Sequence, residues 1–81
     1  MKEAIMAIRT SRRQQNAEAL QKALTKHGCT IAMRLGLHEA GTVCSEDGLI
    51  LLRLVGEDKD FDALKNDLGQ IQGTKYNMME I

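Results

Sequence analysis

Six segments of alternating character predict an α+β domain with the element order β-α-β-β-α-β. Three observations carry that prediction. Two segments place apolar residues at three- and four-residue spacing and end near glycines, as amphipathic helices do. Four others are short runs that are either almost wholly apolar or alternate with period two, as strands do. Finally, no proline, low-complexity tract or repeat marks a linker, so residues 1–81 read as a single domain.

Each element follows from its residues. Ala4 to Arg9 is short and apolar, which suits a central strand. Thr10 to Gln14 reads as a helix start, with Ser11 as N-cap and Gln14 completing a capping box. Ala17, Leu20, Ala23, Leu24 and His27 then form one helical stripe, and Gly28 follows at the expected left-handed C′ position. From Cys29 to Leu37 the pattern switches to period two. Cys29, Ile31, Met33, Leu35 and Leu37 are expected on one face, and Thr30, Ala32, Arg34 and Gly36 on the other. The thiol of Cys29, at the head of an apolar run, is expected to pack as a small hydrophobe. A long connection, His38 to Asp47, leads to the third strand, Leu49 to Val55. That strand is almost wholly apolar and so belongs inside the sheet. If Arg53 faces solvent, Ile50, Leu52 and Leu54 face the core, leaving Leu49, Leu51 and Val55 on the other side. Gly56 to Asp60 begins the second helix, with acidic residues in the first turn complementing its dipole. Phe61, Leu64, Leu68 and Ile71 continue it, Gly69 and Gly73 punctuate its end, and Thr74 to Ile81 closes as an edge strand.

Two crossovers with a hairpin between them give the ferredoxin-like split βαβ arrangement: a four-stranded antiparallel sheet with both helices on one face. The other face is then apolar and uncovered. A second copy of the chain is its simplest cover, so a homodimer or tetramer is expected.

Composition narrows the function classes. Eleven basic side chains balance eleven acidic ones, which removes the electrostatic argument for nucleic-acid binding. One Tyr and one Phe make a poor base-stacking platform. No apolar run is long enough to span a membrane, and Met1-Lys2-Glu3 starts no signal peptide, so a cytoplasmic location is expected. Two cysteines are too few for a disulfide framework.

No catalytic motif is present: there is no GxSxG, P-loop, HExxH or GxGxxG. A non-enzyme without cofactor is expected. His27, Cys29, His38 and Cys44 are ligand-type side chains, but His38 stands up to roughly 30 Å along an extended strand from the first pair. The four cannot form one shell within a subunit, so no metal site is assigned; a His38–Cys44 site between subunits is the alternative. His27, on the apolar stripe, reads as a satisfied and partly buried imidazole. Arg9, Arg12 and Arg13 cluster with Thr10 and Ser11 at the first strand-to-helix connection. A helix start flanked by guanidinium groups suits a small anion, carboxylate or phosphate.

Ala7-Ile8-Arg9-Thr10, Ile31 to Gly36, and above all Leu68-Gly69-Gln70-Ile71-Gln72-Gly73 make the chain resemble a family of small ACT-like proteins, the iron-only hydrogenase system regulators. The resemblance runs along nearly the whole length, although Thr74 stands where such domains usually place Val. It implies an ACT-like, ferredoxin-like fold and a regulatory module, in that family a transcriptional one, that oligomerises and holds small effectors at subunit junctions. The expected contacts are Arg9, Thr10, Ser11, Arg12, Arg13 and Gly36. The alternatives are a His/Cys transition-metal sensor and an accessory factor that binds another polypeptide.

Overall fold

A computed structural model of the chain describes residues 1–11, 13–37 and 48–81. The elements are β1 (Lys2–Thr10), α1 (Arg13–Lys26), β2 (Ile31–Leu37), β3 (Gly48–Gly56), α2 (Asp58–Gly69) and β4 (Thr74–Glu80). The strands form one antiparallel sheet in the order β2-β3-β1-β4, the predicted ferredoxin-like arrangement. The two most apolar strands, β1 and β3, are the interior ones, and β4 is an edge. The connection from His38 to Asp47, with Cys44, lies outside the described residues.

Alternation along β1 and β3 decides where the core sits. Ala4, Met6, Ile8, Leu52 and Leu54 point to one side and meet Leu20 and Leu24 of α1 and Phe61, Leu64 and Leu68 of α2. Both helices therefore cover the same face. Ile31, Ile50, Ile71 and Met78 pack around this cluster. The α2 start is capped as its acidic first turn suggests, with the Glu57 amide donating to Asp60 Oδ2 at 2.9 Å.

Four local expectations need correction. The β2 pattern does not keep one face. Ile31 pairs with Leu54 but Met33 pairs with Arg53, so the register slips by one residue between them. This bulge keeps Ile31 against the core and turns Met33 and Leu35 to the opposite face, 55% and 48% exposed. Cys29 lies in the turn before β2 and is exposed, because the strand starts only at Ile31. Gly28 does not take the left-handed C-cap. The chain leaves α1 through tight turns in which the Gly28 amide donates to Thr25 O and the Thr30 amide to His27 O. Among the described residues the positive-φ glycine is Gly73, at +82°. Lastly, Ala17 is exposed, so the buried stripe of α1 is narrower: Leu20, Ala23 and Leu24.

Candidate functional site

The connection leaving β1 is tied to the turn that enters β4. Ser11 donates twice to the carbonyl of Gly73, from its amide at 2.9 Å and from its hydroxyl at 3.1 Å. Asn16 Nδ2, one turn into α1, donates to Ser11 O at 2.8 Å and to Gln72 O at 2.9 Å. The Thr10 hydroxyl donates to Ser11 O and accepts from the Thr74 hydroxyl at 3.3 Å, its cross-strand partner. Gly73 must be glycine here: its φ is positive, and a Cβ would stand 2.5 Å from Ser11 Oγ.

This geometry adds to the reading of Ser11. Its hydroxyl donates to a carbonyl across the domain, and α1 begins two residues on, at Arg13. Arg12 and the side chains of Arg13 and Gln14 lie outside the described residues. Asn16 was not singled out from sequence, and Gln72 and Gly73 were read there as the segment that ends the second helix, not as partners of Ser11.

Of the remaining candidate residues, Arg9 and Gly36 stand apart from this turn. Thr10 is 2% exposed and belongs to the core side. Arg9 points to the opposite side of the sheet, is exposed, and lies directly across from Lys75 of β4. Gly36, on edge strand β2, pairs with Ile50, which pairs in turn with Ile8. It is thus two strands away from β1, about 10 Å, and a Cβ there would touch nothing within 4 Å. The structure brings Thr10 and Ser11 together with Thr74, Gly73 and Asn16. It does not bring Gly36 to them.

The face away from the helices carries Ile5 and Ala7 of β1, Leu49, Leu51 and Val55 of β3, Met33 and Leu35 of β2, and Met79 of β4. Met79 is 63% exposed. Glu3 and Arg53 pair at 3.2 Å near one end of this face. At the other end, Arg9 and Lys75 flank a shallow depression of about 230 Å³, with Ala7, Leu49, Tyr76 and Asn77 completing its lining.

His27 is a satisfied, partly buried imidazole. Its Nε2 lies 2.6 Å from Asp67 Oδ2 of α2, and since a carboxylate only accepts, Nε2 carries the proton. Lys26 Nζ is 3.1 Å from the same oxygen. The hydrogen bond from His27, followed by that from Lys26, holds the Asp67 carboxyl below its ordinary range. Among the described residues, no three His, Cys, Asp or Glu side chains converge on a point that could hold a metal. His38 and Cys44 lie outside them. No helix among the described residues is long and apolar enough to cross a membrane.

No family model and no curated protein matches the chain. Solved structures do. An uncharacterised protein from Thermotoga maritima superposes with a TM-score of 0.86 at 21% identity, covering 99% of this chain and 96% of that one. A dimeric ferredoxin-like protein from an uncultured marine organism gives 0.55 at 8% identity, covering 99% of this chain and 92% of that one. CPII, a nitrogen regulatory PII-like protein from Thiomonas intermedia, gives 0.54 at 9% identity, with 100% and 89% covered. At such identities the likeness establishes the fold: ferredoxin-like, shared with PII-like proteins.

Proposed function

We propose that this chain is a small non-catalytic regulatory module that works as a homodimer or tetramer and answers a small anionic effector bound beside the subunit junction. The observation that carries this reading is the uncovered sheet face. Among the described residues, eight apolar side chains on four strands lie there without a layer over them, and two packed layers are the minimum for a closed core on that side. A second copy supplies the missing layer at no cost in new sequence. Two similar folds support it. The marine protein is described as dimeric, and CPII, a regulatory protein, is described bound to ADP, AMP and bicarbonate, all anions. The effector contacts are sought among Arg9, Thr10, Ser11, Arg12, Arg13 and Gly36, with Arg9 on the open face itself. The segments Ile31 to Gly36 and Leu68 to Gly73 favour service in an iron-only hydrogenase system, where such modules act on transcription.

Sedimentation velocity tests the assembly. Wild type at micromolar concentration is expected to run as a dimer or larger. The double substitution Met33→Lys with Leu35→Lys is expected to run as a monomer with unchanged far-UV circular dichroism, because both side chains lie outside the core. A monomeric wild type would remove the reading.

A further inference from the structure

We propose that Arg9 and Lys75 together form a receptor for a phosphate group at one end of the open sheet face. This deepens the effector part of the reading above and rests on it, while locating the anion on the sheet rather than at the start of α1. Arg9 and Lys75 are direct partners in the β1–β4 ladder. Their side chains therefore leave the same face with Cβ atoms about 5 Å apart. Like charges directly opposite each other in an antiparallel pair are destabilising. The other described cation on this face, Arg53, is neutralised by Glu3 at 3.2 Å. No acidic side chain among the described residues lies within ion-pair distance of Arg9 or Lys75. Among the described residues, then, two cations without an acidic partner sit side by side where the sheet could have carried any polar pair.

The space between them has a shape that fits the charge. The depression of about 230 Å³ has the two cations and Asn77 in its lining and Ala7 and Leu49 among its apolar residues. A guanidinium presents a planar fork to two oxygens, an ammonium adds a point charge for a third, and a carboxamide can donate as well. Two adjacent positive charges favour a group bearing close to two negative ones, as a phosphate does near neutral pH. A carboxylate would leave one of them unmatched. The ligand class is therefore a free phosphate or a small phosphate monoester.

Inorganic phosphate and adenosine monophosphate are the probes, titrated at constant ionic strength with chloride as the reference. The readouts are thermal midpoint and amide chemical shifts, with oligomeric state measured in the same samples. Wild type is expected to melt higher with phosphate, with shifts centred on Arg9, Lys75 and Asn77. Equal responses to the two probes identify the free anion as ligand, and a larger one to the monophosphate identifies an ester. Lys75→Gln is expected to weaken phosphate binding about tenfold or more. Lys75→Glu is expected to abolish it and to raise the midpoint at low salt without phosphate, because it turns a repulsive pair into an attractive one. Absence of any phosphate response, or the same response in Lys75→Glu as in wild type, would overturn the proposal. A response in a monomeric protein would keep the site and remove the assembly. No response in a dimeric protein would remove the site alone.

Discussion

On the helix-covered side of the sheet Ala4, Met6, Ile8, Leu52 and Leu54 are no more than 1% exposed. One residue along the same two strands, Ile5, Ala7, Leu49, Leu51 and Val55 are only partly buried by their neighbours within the sheet. Both sets are apolar, both sit on the interior strands, and the backbone hydrogen bonding that holds them is the same ladder. What separates them is the second layer. Phe61, Leu64 and Leu68 from α2 and Leu20 and Leu24 from α1 close one side, while among the described residues the other side has only the neighbouring strands. Burial is thus a property of what lies over a strand, not of the strand's own composition. An apolar face left by that rule marks where the molecule meets something else.

The contrast can be broken most directly by truncation. Leu64→Ala or Leu20→Ala is expected to cost about 2–5 kcal/mol, since the cavity left between helix and sheet cannot close fully. Leu51→Ala on the open face should cost less than half as much when measured by urea unfolding at a concentration below self-association. Equal costs would mean that the two faces are packed alike. Gly73→Ala tests the turn that joins the two halves. Its positive φ and the approach to Ser11 Oγ predict a loss of about 1–3 kcal/mol. Gly36→Ala, with open space around it, should be neutral or stabilising by up to about 1 kcal/mol.

The smallest expected effect concerns the helices that close the covered side. The hydrogen bonds from His27 and Lys26 stabilise ionised Asp67, so its folded carboxyl titrates below its unfolded value of 3.8. The resulting stability is complete above the unfolded value and is lost as pH falls through the lower, folded one. Asp67→Asn should therefore be less stable than wild type near neutral pH, and the gap should narrow as pH falls from about 5 towards about 2. A gap that stays constant over that range would show that the carboxylate's charge plays no part.

Legibility from sequence followed the range of the interactions involved. Helix periodicity, except at Ala17 and at Ile71 beyond the end of α2, the interior position of the apolar strands, and the split of Leu49 to Val55 about Arg53 rest on local pattern, and each is found. The β2 face assignment failed because a bulge between Ile31 and Met33 leaves no mark in a run that alternates without a break. The cross-domain bond of Ser11 was not legible, because capping and cross-domain bonding use the same small hydroxyl. The partner in that bond, Gly73, is 62 residues away. Of the candidate site, Arg9 was visible as a cation at a strand end. Lys75 was not, since only the register of β1 against β4 places it opposite.

By itself the amino-acid order determined the sequence of elements, the class of fold, and the existence of two apolar sides on the central strands. These follow from side-chain periodicity and backbone propensity, which act within a few residues. Only the tertiary structure decided which of those sides is closed, that Met33 and Leu35 join the open one, and that Arg9 and Lys75 stand together. Strand register and layer packing couple residues far apart along the chain, and no local pattern encodes that distance.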